Sequence, residues 1–365
     1  MSGPESAFSS SYAQARERFL QAGREAALQV ESNAHPLKGR DGEELAMDVA
    51  RLGPPDADRL LIVSSGCHGV EGYCGSGIQV AALRDRPLLE HAAQRGVALL
   101  FIHALNPYGF SHLRRTTHEN VDLNRNFHDF SKPLPVNTAY REIQPLLLPD
   151  SWPPSQANEQ AIGQYVATKG LPAWQFAMTS GQYEFPDGLF YGGARPTWSN
   201  QALREVLRVH GRRAGRIAWI DIHTGLGPSG VGERIYAGPD DKADVARARR
   251  WWDGGGTTPV TSIYDGSSTS AFLTGLMWTS LPHECPQAQY TGIALEYGTV
   301  PLPDTLLALR AEQWLQLHPD TDAPLAARIK QQFKDAFHTE TAEWKAQVLR
   351  QGRQTMVQAA DGLNS

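Results

Sequence analysis

The chain has no apolar run near the roughly 20 residues that a membrane-spanning helix needs. It has three cysteines, Cys67, Cys74 and Cys285, among 365 residues. Three thiols cannot all pair within one chain and form no disulfide framework, so the expected setting is the reducing cytoplasm. Residues 1–11 are small and polar, without a basic segment followed by an apolar one, so no secretory signal is expected. Positive charge is also in short supply. With 34 Lys and Arg against 39 Asp and Glu, the formal net charge of -5 gives no broad footprint for nucleic acid or anionic membrane. Repeats, charge blocks and long linkers are missing too, and residues 1–365 read as one domain.

What is present is ordinary globular composition, 41% hydrophobic and 20% charged, on a chain long enough to bury a large core. Strand-like apolar runs fall at 60–64, 97–104, 217–222, 260–264 and 293–297, with a further strand at 44–49. Helical stretches are expected at 12–30, 76–93, 200–210, 241–252, 302–317 and 325–349. Strands alternating with helices predict an α/β layered sheet. Residues 146–200 differ, being rich first in Pro, Ser and Gln, then in Gly and aromatics. They are expected to decorate the surface and shape a cleft.

Several predicted strands end in polar residues. The first runs into Ser65-Gly66-Cys67-His68-Gly69-Val70-Glu71-Gly72, which sets an imidazole and a carboxylate three residues apart in a glycine-rich loop. Such a pair suits a borderline cation such as Zn²⁺. His-x-x-Glu alone is common, so its weight comes from the other strand ends. One carries Asp221-Ile222-His223-Thr224-Gly225 and another Leu295-Glu296-Tyr297. Sites in open α/β sheets gather at the carboxyl ends of strands. Convergence there would give His68, Glu71 and His223 as three zinc ligands, leaving a fourth position for water. Glu296 is then the expected proton acceptor and donor. The segment Arg114-Arg115-Thr116-Thr117-His118-Glu119-Asn120-Val121-Asp122-Leu123-Asn124-Arg125 adds guanidinium groups that suit a substrate carboxylate and a polarised oxygen.

Taken in order, His68-x-x-Glu71, Asn106-Pro107-x-Gly109, Asp122-Leu123-Asn124-Arg125-Asn126-Phe127, His223 and Glu296 resemble the zinc carboxypeptidase superfamily. The likeness is closest to an uncharacterised bacterial branch near the succinylglutamate desuccinylase and aspartoacylase deacylases. It spans about residues 60–298. The resemblance implies a three-layer α/β/α fold around a mixed sheet of roughly eight strands, with zinc as cofactor. It implies zinc ligation by His68, Glu71 and His223, and orientation of His68 by Asp122. Arg114 or Arg115 would stabilise the oxyanion, Asn124 and Arg125 would grip the substrate carboxylate, and Glu296 would be general base and acid. Tyr264 stands where the family's flexible tyrosine is sought, though farther from Glu296 than the family pattern has it.

The implied activity is zinc-dependent hydrolysis of an amide bond close to a free carboxylate. A carboxypeptidase acting on peptides and a deacylase acting on small N-acyl amino acids are both compatible, and an open or closed cleft separates them. A metal-binding protein without catalysis would not need Glu296 or the arginines. Cys67 and Ser76 lack the partners of a nucleophile. His283-Glu284-Cys285 reads as a polar loop, and Phe185, Phe190, Tyr191 and Trp198 as packing that partly lines the cleft.

Overall fold

Eight strands pair in one mixed sheet in the order β1-β2-β4-β3-β5-β8-β6-β7. They are β1 Val30–Lys38, β2 Glu44–Leu52, β3 Arg59–Ser65, β4 Val97–His103, β5 Arg216–Ser229, β6 Gly232–Tyr236, β7 Val260–Thr261 and β8 Gln289–Gly298. The computed structural model describes residues 4–253 and 259–365. β4, β3, β5 and β8 run parallel at the centre, while β2 and β6 lie antiparallel to their inner neighbours.

The central strands are apolar almost throughout because both faces are covered. Leu61, Val63, Leu99, Phe101, Ala218 and Ile220 face one layer, against Ile78, Leu88, Trp252 and Val348 of the helices Gly72–Arg84, Arg86–Gln94, Lys242–Trp252 and Ala342–Gly362. Their neighbours Leu60, Ile62, Leu100, Ile102 and Ile217 face the opposite layer, against Leu203 and Leu207 of helix Trp198–Gly211. Successive side chains on a strand point to opposite faces, so each run stocks two cores at once. This is the expected three-layer α/β/α arrangement.

Local signals redraw some expected boundaries. The stretch 76–93 breaks where Asp85 accepts from Leu88 N at 3.0 Å and Pro87 enters the next first turn, giving helices Gly72–Arg84 and Arg86–Gln94. The stretch 325–349 splits into Ala323–Phe337 and Ala342–Gly362, the second capped by Thr341. The helix from Tyr12 stops at Glu25, and the chain then forms β1. The run 260–264 keeps only two residues of strand, in β7. Residues 146–200 contain the helices Gln156–Lys169 and Leu171–Thr179 as well as loop. All three cysteines are free and buried. Among the described residues no helix is long and apolar enough to cross a membrane.

From β3 the chain crosses to β4 on one side and then reaches β5 on the other, so the strand order reverses around β3. The crevice at the carboxyl ends of β3 and β5 is where such sheets place ligands.

Candidate active site

After β3, Gly66 turns the chain at a positive φ of 68°, and a 3₁₀ turn over Gly69–Glu71 leads into helix Gly72–Arg84. Gly69 cannot carry a side chain, since a Cβ there would lie 2.0 Å from the Gly109 carbonyl carbon. That close approach lets Gly69 N and Val70 N donate to Arg115 O and Arg114 O at 3.1 and 2.9 Å. The turn bearing His68 and Glu71 is thereby fastened to the arginine segment.

His68 Nδ1 lies 2.8 Å from Glu71 Oε1, His223 Nδ1 lies 3.0 Å from Glu71 Oε2, and the two Nδ1 atoms are 3.3 Å apart. All three residues are buried, and their ligand atoms lie within 4.8 Å of one another. Tetrahedral zinc with bonds of about 2.0–2.1 Å separates its ligand atoms by about 3.3–3.4 Å. The two nitrogens match that edge, and the carboxylate sits slightly inside it. Two imidazoles with one carboxylate are donors suited to zinc rather than to the all-oxygen shells of calcium or magnesium. The residues therefore fit the cation.

Behind the donors, each imidazole turns its other nitrogen to a buried carboxylate. His223 Nε2 hydrogen-bonds to Asp221 Oδ2, and Asp221 Oδ1 accepts from Ser64 Oγ at 2.6 Å. His68 Nε2 lies 3.3 Å from Asp122 Oδ1 and 2.7 Å from Arg115 Nη2, and it can donate to the carboxylate or accept from the guanidinium but not both at once. A cation at Nδ1 selects the tautomer protonated at Nε2, which the carboxylate satisfies. Burial works against charge on Glu71, yet His68 and His223 hold its carboxyl below the usual range. Burial likewise opposes ionised Asp122, but Arg115 and Arg125 outweigh it and hold its pKa well below the ordinary value. His223 resists burial in the same way, with Asp221 and Glu71 holding it well above an ordinary imidazole.

Glu296 is the register partner of His223 across β5 and β8, and it lines the same cavity. Its Oε1 accepts from Leu226 N at 3.1 Å. Burial, reinforced by the Glu71 charge, pushes its pKa up to about 8 against the pull of His223. A carboxyl poised near neutrality can both take and return a proton.

Of the two adjacent arginines only Arg115 lines the cavity. Its Nε donates to Asp122 Oδ2 at 2.9 Å and its Nη1 lies 3.4 Å from Glu71 Oε1. Arg114 points away, its Nε donating to Glu312 Oε1 at 3.2 Å and its Nη2 to Asn120 Oδ1 and Gln313 Oε1. It braces helix Leu302–Leu317. Asn124 and Arg125 do line the cavity. Arg125 is held by Thr179 O through Nη2 at 2.6 Å and Nε at 3.2 Å. Tyr264 does not line it. Its hydroxyl donates to Gly238 O at 2.9 Å, and Ile263 is the neighbour that turns inward.

Asp221, Gln175 and Thr179 carried no expected role in the site, and Phe190, expected as packing that partly lines the cleft, does line it. Asp221 orients His223 from two residues earlier on the same strand face, a period-2 signal that was readable. Gln175 and Thr179 reach the cavity from helix Leu171–Thr179, for which sequence offered no sign. Phe190 is a cavity wall beneath both guanidiniums, with Arg115 Cζ 4.8 Å and Arg125 Cζ 5.8 Å from its ring centre. Elsewhere, Glu284 pairs with Arg204 and Arg208, and Cys285 Sγ contacts Leu207 O. His283 and Glu284 thus belong to a short helix, Leu281–Glu284, tied into the packing, and not to the expected polar loop.

Fold and site together define an α/β protein with a buried His, Glu, His donor set facing an internal carboxylate. The chain belongs to the family described as "Protein of unknown function (DUF2817)", which matches residues 8–351. No curated protein matches the chain. It is similar to carboxypeptidase A from Helicoverpa armigera, at 14% identity over 88% of this chain and 73% of that one, with a TM-score of 0.44. It is also similar to thrombin activatable fibrinolysis inhibitor, at 12% identity over 89% and 77%, with a TM-score of 0.45. A third is a metallo-carboxypeptidase from Pseudomonas aeruginosa in complex with (2-guanidinoethylmercapto)succinic acid, at 14% identity over 93% and 69%, with a TM-score of 0.39.

Proposed function

We propose that this protein is a zinc-dependent hydrolase that cleaves an amide bond next to a free carboxylate. The observation that carries the reading is the meeting of four groups in one cavity: the His68, Glu71, His223 donors, Glu296 opposite His223, Arg115 beside the donors, and Asn124 with Arg125. Zinc bound there supplies Lewis acidity and lowers the pKa of a coordinated water toward ~7. Glu296 accepts the proton of the attacking water on its carboxylate and delivers it to the departing nitrogen. Arg115 directs guanidinium N–H groups at the oxygen that gains negative charge, within a largely water-excluded pocket. Arg125 and the Asn124 amide hold the substrate carboxylate, which fixes the amide relative to Glu296. Asp122 and Asp221 keep the two imidazoles in the tautomer that frees Nδ1.

Among carboxylate-bearing amides, the rim of the cavity favours small ones. Gln175 Nε2 donates to Thr269 O at 3.0 Å between two segments that both line the cavity. That bond ties two walls of the cavity together, which supports N-acyl amino acids and short peptides over long polypeptides. The test is a paired assay of zinc-supplied protein on acyl dipeptides with a free or an amidated C-terminus. Free acids should be cleaved and amides spared. Equal cleavage of both would remove the carboxylate from the reading.

A further inference from the structure

The cavity is chemically divided, and the division follows the sheet register. Along β5 and β8 the partners are His223 with Glu296, Asp221 with Ala294, and Trp219 with Gly292. Residues two apart share a face, so Glu296, Ala294 and Gly292 form one row. At about 3.3 Å per residue that row runs about 13 Å inward from the catalytic carboxylate. The row is charged at its mouth and then small at Ala294, which lines the cavity, while the place above Gly292 is filled by the Tyr290 hydroxyl. β6 continues the floor, with Ile235 opposite Ala294 and Ala237 N donating to Gly292 O at 2.9 Å.

The walls of the space over Ala294 are apolar. Ile263, Leu276, Trp278 and Tyr290 line it, with neither lysine nor arginine there among the described residues. Tyr290 closes the deep end, since a Cβ on Gly292 would lie 2.0 Å from its hydroxyl oxygen. The nearest carboxylate, Asp221, already serves His223 Nε2 and Ser64 Oγ. The space also adjoins the carboxylate anchor, because Asn124 Oδ1 accepts from Met277 N at 2.9 Å and Met277 precedes the wall residue Trp278.

We propose that the substrate residue bearing the anchored carboxylate carries a large apolar side chain, phenylalanine-like or leucine-like, received over Ala294. This inference rests on the hydrolase reading for its orientation, while the pocket itself does not. An ammonium or carboxylate pushed onto this floor would lose its water without gaining a free partner of opposite charge. An aromatic or branched aliphatic group would bury its surface against Trp219, Ile235 and Tyr290.

Zinc-supplied protein should be assayed on carbobenzoxy-glycyl dipeptides ending in Phe, Leu, Ala, Lys or Asp. The expected kcat/KM for Phe and Leu exceeds that for Lys and Asp by about 100-fold or more, given what a mismatched pocket discriminates. Ala294→Leu fills the floor and should lower the Phe-to-Ala ratio at least about tenfold. Cleavage of the Lys or Asp substrate as fast as Phe overturns the proposal, and so does an Ala294→Leu ratio equal to the parent's. If no dipeptide is cleaved, the hydrolase reading fails and calorimetry decides the pocket separately. Tighter binding of N-acetyl-phenylalanine than of N-acetyl-lysine and N-acetyl-aspartate then supports it. Equal, weaker or no binding of N-acetyl-phenylalanine overturns it.

Discussion

His223 and Glu296 stand directly opposite each other on the parallel strands β5 and β8. One turns a ring nitrogen to the donor set and the other presents a carboxyl to the same cavity. Two strands whose register is set by apolar pairs such as Ile220 with Ile293 therefore fix the distance between the His223 imidazole and the Glu296 carboxyl. A one-residue slip of β8 against β5 would turn Glu296 away from His223.

Glu296→Gln keeps the shape of the side chain and removes its proton chemistry. Hydrolysis of a carboxylate-bearing amide should fall by about 10²–10⁴-fold. Zinc content, measured by elemental mass spectrometry, should stay at the parental level. Loss of both together would make Glu296 part of the metal site instead.

The raised Glu296 pKa predicts a pH-dependent stability difference in metal-stripped protein. Its folded value of about 8 lies above the ordinary 4.5, so the native state holds the proton more tightly than the unfolded chain. The stabilisation this gives is fully present below about 4.5 and is lost as pH rises through about 8. Glu296→Gln does not titrate, so it should gain on the parent across that window by at most ~1.4 kcal/mol per pH unit. Thermal melts of both proteins at several pH values check this, and a constant difference would contradict the burial account.

Asp221 touches no substrate in this account and acts through His223. Asp221→Asn weakens the acceptor facing His223 Nε2 and should reduce zinc affinity about 10–100-fold in chelator competition. Activity should return when zinc is raised. A loss that excess zinc does not restore would assign Asp221 another role.

The two arginines should separate cleanly. Arg115→Met should lower kcat by about 10²–10³-fold through loss of charge stabilisation. Arg114→Met should leave kcat/KM of the folded protein within about threefold while lowering stability by ~1–3 kcal/mol, since Glu312 loses one of its buried partners. Kinetics beside chemical denaturation distinguish the two, and an inactive, stable Arg114→Met protein would exchange their roles.

Much of the site was legible because its residues stand where apolar strands end. His68, Glu71, His223 and Glu296 each follow or close a run whose burial is plain from sequence, and the fold brings them together. Arg114 and Arg115 could not be separated that way, because adjacent residues differ only in the direction they project. Tyr264 closes a run expected to be strand throughout, but only Val260–Thr261 pairs, so the direction of Ile263 and Tyr264 is set by the irregular chain that follows. β1 was hidden by exposure. It pairs only with β2 at the sheet edge and carries the mostly exposed Val-Glu-Ser-Asn-Ala-His-Pro-Leu-Lys. β6 was hidden by the reverse, a short Gly-Glu-Arg-Ile-Tyr that buries charge, with Glu233 held by Thr261 Oγ1 at 2.5 Å and by Thr269 N at 3.1 Å. Gln175 and Phe190 reach the cavity from the long excursion, whose path depends on tertiary packing.

The central claim is that His68, Glu71 and His223 hold a zinc ion that the reaction requires. The most direct measurement is titration of metal-stripped protein with zinc, following bound metal and hydrolysis of an acyl dipeptide together, in the parent and in His223→Ala. The account predicts one zinc per chain, activity rising in proportion to occupancy, and loss of both in the variant. Full hydrolysis by metal-free protein, or parental zinc binding and turnover by His223→Ala, would contradict it.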